Sequence, residues 1–130
     1  MRSLSKINIE ALIQNKGKAN FNFFKHLSPI TMSILLDHLP IRARVSRYKD
    51  SFISILTDIV AGSEKAKREY SRGDIAFLTY NGSICIFLKD VKLDKPMNPL
   101  GRVVKGFEII ESLNSGDSIT LNLSQEETDL

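Results

Sequence analysis

Two apolar runs, residues 75–80 and 83–88, meet across Asn81-Gly82, and no other feature constrains the fold as strongly. Asn-Gly supplies the positive φ angles of a tight hairpin turn, so the two runs read as paired antiparallel strands. Both runs are apolar almost throughout. Each strand therefore needs cover on both of its faces, which a closed barrel or a helix-covered sheet provides. Residues 7–13 and 19–24 form a second predicted hairpin around Gln14-Asn15-Lys16-Gly17-Lys18. Residues 41–45 alternate apolar side chains with Arg42 and Arg44, a strand with one face inward and two arginines outward. Residues 52–60, 101–104 and 118–123 complete the strand set.

Ser28-Pro29 marks a helix start, with the Ser28 hydroxyl as N-cap and proline in the first turn, and Pro40 stops the helix. A second short helix is expected over 107–113. Residues 64–69 are almost wholly polar and read as an exposed loop or a single helical turn. Residues 89–99, with Pro96 and Pro99, read as an irregular connection. Many short strands with two short helices predict a mainly β barrel or sandwich. The absence of strand–helix alternation argues against a parallel doubly wound sheet.

With 130 residues, the chain is expected to form one domain over 1–123, followed by an acidic, disordered tail at 124–130. Cys85 has no second cysteine to pair with, and His26 and His38 are its only histidine company, so neither a disulfide nor a Cys/His zinc site is expected. Neither HExxH nor GxxxxGK[ST] occurs, and no metal or cofactor is expected. The lone thiol, an N-terminus without an apolar signal core, and the absence of an apolar run near 18 residues point to the cytoplasm rather than to a membrane. The formal charge is +3, with basic clusters at Arg42, Arg44, Arg47 and Lys49 and at Lys65, Lys67, Arg68 and Arg72. Such clusters can contact phosphates. Without interleaved aromatic residues for base stacking, a solvated basic face outweighs a nucleic-acid site.

The succession Gly73-Asp74-Ile75-Ala76, Gly82-Ser83-Ile84-Cys85-Ile86-Phe87, Asn98-Pro99-Leu100-Gly101-Arg102-Val103 and Gly106-Phe107-Glu108-Ile109-Ile110 resembles the small archaeal and bacterial cyclophilin-like family. That family is a reduced relative of the cyclophilin peptidyl-prolyl isomerases. The resemblance runs from about Ile7 to Leu123 and is most specific from Gly73 onward. It implies a closed eight-stranded antiparallel barrel with two short helices.

The resemblance also implies a place to look for chemistry. In cyclophilins an arginine hydrogen-bonds the carbonyl before proline while apolar walls hold the ring. Charge and shape around a twisted peptide then lower an amide barrier of roughly 18–20 kcal/mol, without metal or nucleophile. Carried onto this chain, the arginine falls at Arg47 and the following phenylalanine at Phe52. The glutamines fall at Ile55 and Ile84, the pocket phenylalanine at Ile86 and the histidine at Met97, and the chain has no tryptophan. The implied site is Arg47 as catalytic residue, with an apolar groove of Phe52, Leu78, Ile84, Ile86 and Met97. Its expected partner is a proline-containing peptide or a small apolar ligand. A weak isomerase and a non-catalytic binding or interaction scaffold both remain open, with a nucleic-acid-associated basic protein third.

Overall fold

Strand alternation sends every second side chain to one face, and along this chain one set of alternate positions is consistently large and apolar. The computed structural model describes residues 6–124 and resolves that pattern into nine strands and two helices. In chain order these are β1 (Lys6–Ile13), β2 (Gly17–Phe24), α1 (Pro29–Asp37), β3 (Ile41–Tyr48), β4 (Phe52–Leu56), β5 (Lys67–Tyr70), β6 (Asp74–Leu78), β7 (Ser83–Phe87), β8 (Val91–Lys105), α2 (Phe107–Glu111) and β9 (Ser118–Leu123). Eight strands pair antiparallel in the order β2-β1-β9-β3-β4-β7-β6-β8, and β2 pairs with β8 to close the ring. The fold is a closed eight-stranded antiparallel barrel with two short helices, and β5 lies outside it on the first half of β8.

The interior is filled from all sides of the ring by fully buried side chains such as Ile9, Phe21, Ile53, Phe77, Ile84 and Leu121. Helix α1 adds Met32 and Leu35 to the same cluster, and α2 adds Ile110. Closure depends on a close approach. At Gly101 of β8, a Cβ would lie 1.9 Å from the Asn22 carbonyl oxygen of β2, so only glycine fits that crossing without displacement.

Several local expectations are corrected. The hairpin around Asn81-Gly82 has a four-residue loop, because Leu78 and Ser83 are the last paired residues. The Gly82 carbonyl is drawn away by the Thr57 amide (2.9 Å) and hydroxyl (2.6 Å). The strand expected to reach residue 60 ends at Leu56, where Thr57 turns the chain by accepting a hydrogen bond from Ile59 N–H. Of the residues 89–99 expected to be irregular, all from Val91 onward are strand: β8 runs unbroken through both prolines for 15 residues, with register shifts against β5 and β6.

The polar stretch 64–69 is neither a free loop nor a helical turn. It supplies β5, and its first residue caps α1. The Ser28 hydroxyl is buried and donates to the Pro99 carbonyl at 2.8 Å, leaving the helix N-terminus to another residue. The Glu64 carboxylate takes that role, accepting from the Ile30 amide (2.9 Å), the Thr31 amide and the Thr31 hydroxyl (2.6 Å). Asn98 locks the arrangement by donating to Thr31 Oγ1 and the Gly62 carbonyl while accepting from the Glu64 amide. Of the expected tail, 125–130 lies outside the described residues.

Candidate functional site

Parity decides where the sequence-derived site residues go. On β3 the inward positions are Ile41, Ala43, Val45 and Arg47, while Arg42 and Arg44 are exposed. Arg47 is thus opposite Ile53 on the interior side of the ladder, and its guanidinium turns to α2. Nη1 donates to the carbonyls of Glu111 and Leu113, each at 2.8 Å, and the Arg47 amide donates to Ser115 Oγ at 2.8 Å. These carbonyls lie at the end of a helix, where they lack intrahelical donors and attract a cation.

Phe52 pairs with Tyr48 on the opposite, outer face, with ring centroids 4.5 Å apart in a stacked geometry. Leu78 and Met97 belong to the same outer cluster, around Ala76, Cys85 and Phe87. Ile84 and Ile86 do not join it. Both are fully buried inside the barrel, and the outward positions of β7 are Ser83, Cys85 and Phe87. A one-residue offset in a strand exchanges its two faces. The structure therefore groups Phe52, Leu78 and Met97, sends Ile84 and Ile86 to the core, and sets Arg47 apart from both.

The chain itself covers this outer face. Tyr70 of β5 stacks on Phe87 at 4.9 Å and donates its hydroxyl to the Met97 carbonyl at 2.6 Å, while Val91 and Leu93 of β8 pack alongside. Burial raises the Tyr70 hydroxyl well above its ordinary pKa, with Asp74 adding to the effect. Beneath this cover the Cys85 thiol is 1% exposed, and burial pushes it up to about 12 despite a hydrogen bond with Ser54. Such a thiol is inert at neutral pH.

A cavity of about 340 Å³ opens beside Tyr70, at the fork where β8 leaves β5 and passes between β6 and β2. Phe24, Leu27, Ile75 and Pro99 give it an apolar wall, and Lys65, Lys67, Arg102 and Asp74 add charge. Arg102 is neutralised by Asp74 at 2.8 Å. Lys65 Nζ donates to the His26 carbonyl at 2.6 Å, and Lys67 Nζ sits 4.9 Å from the Tyr70 ring centroid. A larger depression of about 660 Å³ follows β1 and β9, where Leu12 and Ile13 lie among Glu10, Gln14, Lys18, Ser118 and Thr120, but it is shallower and more open than the cavity beside Tyr70. Sequence reasoning missed the Tyr70 cavity, because its walls combine ends of predicted strands (Phe24, Ile75, Gly101 and Arg102) with Lys65 and Lys67 from a stretch read as loop and Pro99 from one read as connection. The available signal was Tyr70 itself, a large amphipathic residue closing a run of charges.

Among the described residues, no three His, Cys, Asp or Glu side chains gather as a metal site, and no helix is long and apolar enough to cross a membrane. The second basic cluster is split: Lys65 and Lys67 line the cavity beside Tyr70, whereas Arg72 pairs with Glu111 at 3.1 Å and lies over the Phe107 ring at 4.3 Å.

A closed antiparallel ring with two small helices and an apolar outer face over β4, β7 and β6 defines a cyclophilin-type barrel. The family model described as cyclophilin-like matches residues 6–122, and the chain belongs to that family. The barrel is similar to the solution structure of a hypothetical protein from Archaeoglobus fulgidus, with TM-score 0.79 and 20% identity over 92% of this chain and 96% of that one. It is also similar to McbB, solved in complex with tryptophan, with TM-score 0.74 and 12% identity over 92% of this chain but 46% of the longer one. No curated protein matches significantly in sequence.

Proposed function

We propose that this chain is a cyclophilin-like binding barrel that takes a small, largely apolar ligand in the cavity beside Tyr70 and does not isomerise proline. The observation that carries the reading is the cavity's make-up: an apolar wall of Phe24, Leu27, Ile75 and Pro99 at the foot of charged side chains, the usual composition of a small-molecule site. Against isomerisation stands the engagement of Arg47. An arginine whose Nη1 is tied to the Glu111 and Leu113 carbonyls is held at α2, on the ladder face opposite to Phe52 and away from the apolar outer cluster where a proline ring would rest.

A peptide-binding surface on the outer face is the second reading. It is favoured by two exposed side chains: Tyr48, 51% exposed and stacked on Phe52, and Leu56, 60% exposed and paired with Ser83 of β7, which pairs with Leu78 on its other side. The buried, unpaired Cys85 suits a reducing compartment such as the cytoplasm.

Exchange spectroscopy on short Xaa-Pro peptides tests the catalytic part. Wild-type protein and Arg47→Ala are expected to leave cis–trans exchange at its uncatalysed rate. Acceleration by wild type that disappears in the variant would overturn the reading and return Arg47 to an active site.

A further inference from the structure

The cavity beside Tyr70 is unequal in its charges. Of the four charged residues that line it, Arg102 and Asp74 satisfy each other at 2.8 Å, and Arg102 also donates to the Arg72 carbonyl at 3.3 Å. Lys65 and Lys67 remain. One donates to a neutral backbone carbonyl and the other rests over an aromatic ring, and neither forms an ion pair with another described residue. Two ammonium groups outside any direct ion pair among the described residues, Lys65 with the Glu64 carboxylate close enough to feel its charge, thus stand beside a wall of Phe24, Leu27 and Pro99.

From this arrangement we infer that the cavity binds a small organic monoanion, an aryl- or alkyl-carboxylate, with its acid group at Lys65 and Lys67 and its hydrocarbon body against Phe24, Leu27 and Pro99. The inference rests on the reading of this cavity as a ligand site and adds the chemical class of the ligand. Three considerations select that class. The volume of about 340 Å³ lies near the lower end of ligand pockets, roughly 300–1,000 Å³, which suits a compact molecule. The apolar wall loses water favourably only to a hydrocarbon body, which inorganic phosphate lacks. The Asp74–Arg102 pair adds no net charge, so Lys65 and Lys67 alone supply the positive field, and each ammonium is already partly engaged, by the His26 carbonyl and the Tyr70 ring, which suits a singly charged ligand. Because Arg102 Nη1 is taken by Asp74 and Nη2 by the Arg72 carbonyl, the acid meets lysines as point charges rather than a bidentate clamp.

Isotope-labelled wild-type protein titrated with 3-phenylpropanoate, and separately with its neutral isostere 3-phenylpropanamide, tests the inference by amide chemical shift. The acid should shift amides within 65–75 and 99–102 and bind roughly fivefold tighter than the amide, the scale of two solvent-screened charge contacts. That advantage should vanish in the double variant Lys65→Gln/Lys67→Gln and shrink at raised salt. Both lysines are exposed, so the variant should keep the wild-type spectrum elsewhere. Equal affinity of acid and amide at the same amides would overturn the anion preference and leave the cavity standing as a site. Absence of shifts there with either compound would overturn the cavity reading, and the inference with it.

Discussion

Gly101→Ala should destabilise the protein by about 3 kcal/mol. Its Cβ would sit 1.9 Å from the Asn22 carbonyl oxygen and 2.9 Å from both the Asn22 carbonyl carbon and Phe23 Cα. Carbon and oxygen come no closer than about 3.3 Å in ordinary packing, so a gap of about 1.4 Å must open. Nothing there yields easily: the obstacle is backbone, and β2 is held on its other side by β1, with Asn22 opposite Asn8. Overpacking of this kind costs roughly 1–3 kcal/mol. Hydrogen bonds lost where Phe23 meets Gly101 and Asn22 meets Arg102 add roughly 0.5–1.5 kcal/mol each. For a chain of this length, about 3 kcal/mol corresponds to a fall in melting temperature of roughly 10–15 °C. Urea denaturation with linear extrapolation measures it, and two other glycines calibrate it. At Gly62 a Cβ meets nothing within 4 Å, so Gly62→Ala should be neutral or slightly stabilising. Gly116 has equally open surroundings but φ of +99°, so Gly116→Ala should isolate the backbone cost of about 1 kcal/mol. Gly101→Ala within about 1 kcal/mol of Gly62→Ala would refute the argument that this crossing seals the ring.

Three further outcomes follow from polar contacts. Burial tends to raise the Glu64 pKa, but hydrogen bonds from the Thr31 hydroxyl and the Ile30 and Thr31 amides outweigh it, so the carboxyl is held below its ordinary value of 4.5. Its stabilisation is accordingly present above pH 4.5 and lost as pH falls through the folded-state pKa; Glu64→Gln should cost about 1 kcal/mol at pH 7, and the gap to wild type should narrow in acid denaturation series. Arg47→Ala removes donors from the Glu111 and Leu113 carbonyls and should cost about 2 kcal/mol by urea midpoint, with Arg47→Lys recovering only part because an ammonium lacks the planar fork. Ser83 Oγ is buried without a partner, so Ser83→Ala should be neutral or stabilising by up to about 1 kcal/mol in the same assay; a loss above that would reveal a contact the present geometry lacks.

The ring itself was legible because its interior residues recur at every second position: Ile75 with Phe77, Ile84 with Ile86, Ile119 with Leu121. What these strands concealed was which face was which. Ala76, Cys85 and Phe87 make the outer face of β6 and β7 as apolar as the inner one, so no polar residue marks the orientation, and Ile84 and Ile86 could be assigned to a groove they do not line. Arg47 was obscured in a different way. It follows Arg42 and Arg44 on the same strand, yet stands at an odd rather than even position, and that parity turns it to α2. In β8, the alternation Val91-Lys92-Leu93-Asp94 is a strand pattern that Pro96 and Pro99 masked. Glu64 could not be read as a cap from local sequence, because its partners lie more than thirty residues away.

The position of β9 bears on how the molecule is made. It fills the slot between β1 and β3, with Leu121 opposite Ala11 on one side and Ile41 on the other, yet it is the last of the described strands to leave the ribosome. Until residues 118–123 emerge, β1 and β3 each present an unpaired edge, open to pairing with neighbouring chains. The growing chain can fold its hairpins early, but the cylinder is completed only when its final stave arrives.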